Sequence, residues 1–248
     1  MSNNKIIYEG PSMLDGKPIV AIAVWSDKNT KTGGMVQTYI LRQGIDPREA
    51  NRTGEDYSIC GNCPLRGTPS DKGKLAAGRR CYVNIAQGVL VVWKAYRRGV
   101  YGHATDYGQS LSKGRMVRLG TYGDPAAVPS IVWHRLLKGS KGHTGYSHQS
   151  KERQAEFDAS IMMVSADSEK QAQEAWNKGQ RTFRVLGPND TINNAHEVLC
   201  PSPRVQCHSC GLCAGTSKRG KSVAIGYHGP NGIRKAWKEH ARMEGTAL

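Results

Sequence analysis

Seven cysteines are gathered in two short stretches of the chain, and no cysteine lies elsewhere. The front group has three members: Cys60, Cys63 and Cys81. The back group has four: Cys200, Cys207, Cys210 and Cys213. Thiolates two residues apart can turn toward one ion or cluster, so this spacing predicts metal ligation. Four thiolates complete a closed metal site, whereas three leave one coordination position open for chemistry.

Disulfide bonds are the other common use of grouped cysteines. An odd number of cysteines fits a disulfide framework poorly. The chain begins Met1-Ser2-Asn3-Asn4-Lys5 with no apolar signal segment, which predicts a reducing cytoplasm. Metal ligation is therefore favoured. The Cys-x-x-Cys-x-x-Cys spacing of the back group suits an iron–sulfur cluster, and it also suits zinc with His208 or His228 nearby, so both metals stay open.

The charge of the chain favours a polyanionic partner. Its 248 residues carry 35 Lys and Arg against 20 Asp and Glu, a net charge of +15. Such an excess is typical of proteins that contact nucleic acid. No apolar run is long enough to cross a bilayer, so no membrane partner is expected. The candidate nucleic-acid contacts are the clustered basic residues Arg79, Arg80, Lys94, Arg97, Arg98, Lys218, Arg219 and Lys221.

The sequence predicts one domain over residues 1–248. Residues 1–55 form a strand-rich lead-in, with strands over 18–24 and 35–41 and a turn over 27–34. The front cysteine loop and a helix follow over 56–115, where the apolar residues 89–93 suit a buried segment. Strand and helix repeats with the back cysteines occupy 116–230, and a basic helix occupies 231–248.

Short strands alternate with helices in the third of these regions. The predicted strands are 116–120, 144–148, 161–165, 181–186, 196–200 and 222–227. The predicted helices are 126–137, 151–158 and 168–179, the last one capped by Ser168. Such alternation indicates an α/β fold with a parallel sheet. The number of strands favours a closed or partial parallel β/α barrel of the TIM-like kind, and an open doubly wound sheet is the alternative.

Polar residues follow several of the predicted strands. Asp124, His148 and Asp167 each stand just after a strand end. In β/α barrels the chemistry takes place at the carboxyl ends of the strands. These three residues are therefore the candidate catalytic residues of a shared active rim.

Three motifs carry a resemblance to a known family. They are Cys60-x-x-Cys63-Pro64 with Cys81-Tyr82, the segment 118–125, and Gly145-Tyr146-Ser147-His148. Together they resemble a phage-encoded family described as "gene product 88", which is itself similar to radical S-adenosylmethionine (SAM) enzymes. The resemblance covers residues 55–230 and implies a protein that acts in the cytoplasm of an infected host cell.

The resemblance implies a function and a set of ligands. Cys60, Cys63 and Cys81 would hold a 4Fe–4S cluster beside the aromatic Tyr82, although the family's usual spacing is CxxxCxxC. The back four cysteines would hold a second cluster. SAM would lie against the turn Gly120, Gly123, Asp124 and Pro125. The implied activity is a radical SAM-like modification of nucleic acid or of a nucleotide.

Two other functions compete with this one. Guanine transglycosylases are also β/α barrels with a cysteine-rich zinc site, and they use one aspartate as nucleophile and another as general acid and base. Asp124 and Asp167 are the candidates for those roles. The third possibility is a nucleic-acid-binding protein without enzymatic activity, in which the metals only staple loops together.

Overall fold

A computed structural model describes residues 4–26, 29–152 and 155–245 of the chain. The strands in these ranges are β1 (Lys5–Pro11), β2 (Pro18–Ser26), β3 (Met35–Arg42), β4 (Gly102–His103), β5 (Met116–Tyr122), β6 (Gly142–Thr144), β7 (Tyr146–Ser147), β8 (Met163–Ala166), β9 (Thr182–Leu186), β10 (Glu197–Leu199) and β11 (Ser222–Gly226). The α-helices are α1 (Pro47–Thr53), α2 (Tyr57–Cys60), α3 (Gly88–Arg97), α4 (Gln109–Ser112), α5 (Ser130–Leu137), α6 (Glu169–Trp176), α7 (Cys207–Cys210) and α8 (Asn231–Gly245).

The strands form two sheets that meet at a single residue. The first sheet has the order β4-β1-β2-β3-β5-β6, and the second has the order β10-β11-β9-β8-β7. Strand β2 is antiparallel to β1 and β3, whereas β3, β5 and β6 are parallel, as are all strands of the second sheet. Only Gly145 separates β6 from β7, so the parallel part of the fold continues from one sheet into the other.

The larger hydrophobic core lies against the first sheet. Residues 19–23 of β2 are fully buried, which means that both faces of this strand are covered. Apolar side chains of α3 and α5 complete this core, and Trp133 of α5 is anchored by its indole N–H, which donates to the carbonyl of Pro125 at 2.8 Å. A smaller core around Met163, Phe183 and Val223 lies against the second sheet, and two cysteines of the back group pack onto it.

The predicted α/β class with a parallel sheet is confirmed, and the barrel stays a prediction. Strands β4 and β10 stand at the two outer ends of the strand orders, and no pairing between them closes a barrel in the described part of the chain. The strands predicted over 18–24, 35–41, 116–120, 161–165, 181–186, 196–200 and 222–227 are all present, with shifted ends. Helix α6 begins after its predicted cap, where the Ser168 hydroxyl accepts from the amide of Gln171.

Three predicted elements were wrong in detail. The helix over 126–137 is divided into a 3-10 turn at Pro125–Ala127 and α5, because Pro129 offers no amide and disfavours helical geometry at the residue before it. The strand over 144–148 is interrupted at Gly145, whose amide donates to the carbonyl of Cys213 at 2.7 Å. No helix occurs over 151–152 or 155–158, where Asp158 instead accepts from the Ser160 amide.

Parts of other predictions lie outside the described residues. They are positions 27–28 of the predicted turn, 153–154 of the predicted polar helix, and 1–3 and 246–248 at the ends of the chain. The rest of that turn, 29–34, is irregular as predicted, and the predicted C-terminal helix is present as α8. The apolar stretch 89–93 is helical and lies in α3.

Candidate metal centre and adjoining cavities

The front cysteines are held by a tightly turned loop. Cys60 is the last residue of α2, and the left-handed φ of 53° at Gly61 turns the chain back toward Cys63. The amide of Cys81 donates to the carbonyl of Leu65 at 2.9 Å. The buried guanidinium of Arg79 donates to the carbonyls on both sides of Tyr82, those of Cys81 and Val83, at 2.7 Å each.

All three front thiols line one cavity of about 90 Å³ next to the carboxyl ends of β5 and β7. Tyr82, Asp124 and His148 line the same cavity. Burial raises the pKa of Cys60 well above its ordinary value, and the neighbouring Asp56 and thiolates raise it further. Burial likewise raises the pKa of Cys81. Thiols in such surroundings keep their protons unless a metal ion takes their place, since a metal ligand must be deprotonated.

His148 connects this cavity to a second one. Its Nε2 atom lies 3.9 Å from the Sγ atom of Cys63 and 3.2 Å from Oδ1 of Asp167. Burial alone would lower the pKa of His148, but the Cys63 thiolate and the Asp167 carboxylate outweigh it and raise this pKa well above its ordinary value. Asp167 and His148 also line a neighbouring cavity of about 160 Å³. Sequence reasoning placed both residues at strand ends, and the structure brings them together.

The carboxylate of Asp124 accepts hydrogen bonds from neighbouring loops of the chain. One carboxylate oxygen accepts from the amide of Ala126 at 3.0 Å, and the other accepts from the amide of His148 at 2.8 Å and from Nε2 of Gln149 at 3.3 Å. Its side chain is buried, and burial raises the pKa of this carboxyl group. Asp124 therefore holds the loop after β5 to the loop after β7.

The glycines of the turn are required by its packing. A Cβ atom on Gly120 would lie 2.6 Å from the carbonyl oxygen of Gly123, and one on Gly123 would lie 2.7 Å from Cβ of Ile40. Both residues have positive φ, 64° and 82°. Pro125 is buried and begins the 3-10 turn. Contacts within the chain thus account for the glycines to which the family resemblance gave a role in cofactor binding.

The back cysteines are held by Arg181 and by the loop before β3. The Arg181 guanidinium is buried and donates to five carbonyl oxygens of the loop after α7, those of Leu212, Ala214, Gly215, Lys218 and Lys221. At the other side, the amide of His208 donates to the carbonyl of Thr32 at 2.9 Å. These bonds fix α7, whose first and last residues are Cys207 and Cys210.

Three of the four back cysteines share a cavity of about 50 Å³, which Cys200, Cys207 and Cys213 line. Burial raises the pKa of Cys213 to about 12, with further contributions from the other three thiolates of the group. Cys210 lines a different cavity, beside Lys218 and His208. The structure therefore gathers the back group, with Cys210 turned to its outer side.

Two tyrosines form a wall common to both cysteine cavities. Tyr82 and Tyr146 line the front cavity and the back cavity alike, and their hydroxyl groups are hydrogen-bonded to each other. Nη2 of Arg118 donates to the Tyr82 hydroxyl at 3.0 Å and to the Tyr146 hydroxyl at 3.1 Å. Sequence reasoning did not assign a site role to Arg118 or Tyr146. For Arg118 a signal was present in the sequence, since it is the one charged residue of strand β5.

As the side chains stand, no three His, Cys, Asp or Glu residues within 4–26, 29–152 and 155–245 are arranged so that they could hold a metal ion. The seven cysteines are free thiols. The two groups are thus brought to their cavities by the fold, and loading with metal would require the thiols to rearrange.

The candidate nucleic-acid residues divide into three kinds. Arg79 is buried and serves the cysteine loop, and Arg80 packs its guanidinium 4.9 Å from the ring centre of Trp237 in α8. Exposed residues stand at two separate places, the end of α3 and the loop before β11: Lys94, Arg97, Arg98, Lys218, Arg219 and Lys221. The fold does not bring all eight into one patch.

Comparison with known proteins adds no relative. No protein-family model matches the chain, and no curated protein or solved structure matches it. Among the described residues, none of the helices is both long enough and apolar enough to span a membrane.

Proposed function

We propose that this chain is an iron–sulfur enzyme with radical SAM-like chemistry that modifies nucleic acid or a nucleotide. One observation carries the proposal: Cys60, Cys63 and Cys81, which come from two separate segments, line one cavity at the carboxyl ends of β5 and β7. Three thiols with one open position match the donor set of a cluster that keeps one iron free for a ligand.

The donor set fits the group, although the thiols must rearrange to take it up. Cys60, Cys63 and Cys81 would hold the front cluster, and Cys200, Cys207, Cys210 and Cys213 a second one. A bound cluster supplies one-electron chemistry. The chain's own residues surround this place: Tyr82 separates the two sites, and the His148–Asp167 pair can take or give a proton beside Cys63. SAM, if it is the co-substrate, would occupy the front cavity beside the turn 120–125.

A partial barrel is part of this proposal. Side chains of four parallel strands line the back cavity: Arg118 of β5, Tyr146 of β7, Phe183 of β9 and Ile225 of β11. Loop contacts join the two sides of the strand series, since Nε2 of Gln206 donates to the carbonyl of Thr30 at 2.9 Å. A concave inner face lined from several strands is what a partial barrel presents to its ligand.

The proposal of a nucleic-acid partner is based on the positive charge of the chain. The net charge of +15 and the six exposed basic residues at the end of α3 and before β11 support contact with phosphates. Binding to single-stranded and duplex oligonucleotides over a series of salt concentrations tests this part. A steep loss of affinity with salt is expected, and affinity that does not change with salt would remove nucleic acid as the partner.

The zinc-containing base-exchange function has less support. A nucleophile must be able to reach the sugar, whereas Asp124 is buried and both of its oxygens already accept hydrogen bonds. The third possibility, a nucleic-acid-binding protein without enzymatic activity, gives no role to the His148–Asp167 pair beside Cys63.

Metal analysis of anaerobically purified protein tests the proposed function. We expect iron and sulfide, with broad absorption from sulfur-to-iron charge transfer. A variant with Cys60, Cys63 and Cys81 all changed to alanine should lose activity and the front iron while it keeps the back iron, and the matched variant of the back four should do the reverse. Zinc without sulfide would favour the base-exchange function. A folded, active protein free of iron and zinc would contradict both.

A further inference from the structure

Tyr122 carries a buried hydroxyl group whose hydrogen-bonding capacity the described residues leave unused. It is the last residue of β5, it is 5% exposed, and its hydroxyl oxygen is shielded from solvent. Within 4–26, 29–152 and 155–245, no residue donates to this oxygen or accepts from its proton. A buried hydroxyl group without a partner is costly, and a redox role or a bound ion is one of the explanations for such a group in a folded protein.

The hydroxyl group lies beside the front cysteines. Tyr122 lines the front cavity together with all three front thiols. Its side chain belongs to the larger hydrophobic core, and Cys60 packs against the same core. Burial raises the pKa of the Tyr122 phenol well above its ordinary value, and the charge of Cys60 raises it further, ahead of Asp56 and Cys81. Of the front cysteines, Cys60 is therefore the one whose charge affects this hydroxyl group most.

The other charged groups near this hydroxyl already have partners. Oδ2 of Asp56 accepts from Nδ2 of Asn51 at 2.8 Å, and Oδ1 of Asp56 accepts from Nε of Arg66 at 3.0 Å. The guanidinium of Arg79 donates to two carbonyl oxygens of the cysteine loop. A guanidinium cannot accept a hydrogen bond. The sulfur of Cys60 is thus the favoured acceptor for the Tyr122 hydroxyl.

We infer that the Tyr122 hydroxyl donates a hydrogen bond to the sulfur of Cys60 when the front cysteines hold their metal. A metal-bound cysteine is a thiolate, and a charged acceptor makes a stronger hydrogen bond than a neutral thiol. The phenol is protonated at neutral pH and can donate. The inference rests on the front metal site of the proposed function, but it does not depend on which metal is bound.

This hydrogen bond makes Tyr122 a positioning residue of the front site. Groups that hydrogen-bond to metal ligands orient them and strengthen metal binding. Hydrogen bonds to the sulfurs of an iron–sulfur cluster also set its reduction potential, because they stabilise the more negative, reduced form. Tyr122 acts in this way on Cys60, while Nε2 of His148 lies 3.9 Å from Sγ of Cys63.

Tyr122→Phe tests the inference, because it removes the hydroxyl group and keeps the ring in the core. The front metal is identified as the part that the alanine variant of Cys60, Cys63 and Cys81 lacks. We expect Tyr122→Phe to lose this metal to excess chelator about tenfold faster than the unchanged chain, or more. In an iron-loaded chain, a redox titration followed by electron paramagnetic resonance should give a lower midpoint potential for the front cluster. Tyr101→Phe is the matched control, at a buried tyrosine of the same core that lies outside the lining of the front cavity.

Urea unfolding of the metal-free chain separates this role from a general contribution to stability. The hydroxyl has no partner to lose there, so the unfolding midpoint of Tyr122→Phe should equal or exceed that of the unchanged chain. A lower midpoint would show that the hydroxyl is already bonded without metal, and it would overturn the inference.

The results distinguish this inference from the proposed function. Iron and sulfide at the front site, with the same metal loss and the same potential in Tyr122→Phe as in the control, overturn the inference and leave the proposed function standing. Zinc at the front site that Tyr122→Phe loses faster supports the inference and ends the iron–sulfur proposal. A front group that binds no metal ends both.

Discussion

The Nε2 atom of His148 lies 3.9 Å from the Sγ atom of Cys63, although 85 positions separate the two residues along the chain. Cys63 comes from the loop after α2, and His148 comes from the loop after β7. Asp124 joins the two segments: its carboxylate accepts from the amide of His148, and its backbone amide donates to the carbonyl of Ile59 in α2. An imidazole is thus part of the front cysteine site.

His148→Gln should change the properties of a front cluster without removing it. The imidazole stands beside the three thiols, so we expect iron and sulfide per chain to be unchanged while the absorption and electron-paramagnetic spectra of the front site shift. Iron and sulfide analysis with both spectra measures this. Loss of the front iron would mean instead that His148 is itself a ligand.

Asp124→Asn should destabilise the fold by about 1–3 kcal/mol, because the amide nitrogen cannot accept from the backbone donors that the carboxylate satisfies. Urea unfolding of the metal-free chain gives the change in the free energy of unfolding. The control is Asp71→Asn, at an exposed carboxylate outside the site, where we expect a change within about 0.5 kcal/mol. Equal stability of the two variants would show that Asp124 does not hold the loops.

Arg181→Lys should loosen the loop that carries the back cysteines. A lysine ammonium cannot reach the five carbonyl oxygens that the guanidinium fork serves, and each buried carbonyl left without a donor costs about 1–3 kcal/mol. We expect faster proteolysis within residues 211–221 and a lower midpoint of unfolding. Arg135→Lys on the surface of α5 is the control, and matching cleavage rates for the two variants would contradict the anchoring role.

Removing one partner of the buried ion pair of Arg184 and Glu197 should lower the free energy of unfolding more than replacing both residues with apolar ones. Nη2 of Arg184 and Oε2 of Glu197 are 2.6 Å apart, and the two side chains are 2% and 0% exposed. Glu197→Gln leaves a buried guanidinium without its counter-charge, so we expect a loss of about 3–5 kcal/mol. The double variant Arg184→Met with Glu197→Leu should lose less, and denaturant unfolding of all three chains decides the comparison.

The Asp106 carboxylate should make the free energy of unfolding depend on pH in the acidic range. The Ser110 hydroxyl, followed by the backbone amide of Ser110, lowers the pKa of this carboxyl group in the folded chain. A lowered pKa means that the stabilisation is complete above the ordinary aspartate pKa of about 3.9 and is lost as the pH falls through the lower folded value. The difference in urea midpoint between the unchanged chain and Asp106→Asn should therefore shrink from pH 7 to pH 3, and a constant difference would contradict it.

Local pattern was enough to predict several elements and the membership of both cysteine groups. The apolar runs of β2 and β3, the Ser168 cap of α6 and the two-residue cysteine spacings are features of neighbouring residues. The helix over 126–137 failed at Pro129, although the proline itself was the signal. The helix predicted over 151–158 is absent from the described residues 151–152 and 155–158 and had no such signal, because polar side chains there bond to distant parts of the chain, as in the contact of His134 with Asp158.

The sequence by itself determined the candidate residues for chemistry: seven thiols in two groups, and polar residues after the strands. Only the tertiary structure decided which of them meet. It placed His148 between Cys63 and Asp167, used Asp124 to hold loops, and set Arg118 and Lys31 in one cavity behind Tyr82 and Tyr146. The physical reason is that these contacts join residues far apart in the chain, and the pairing of parallel strands, not local propensity, brings them together.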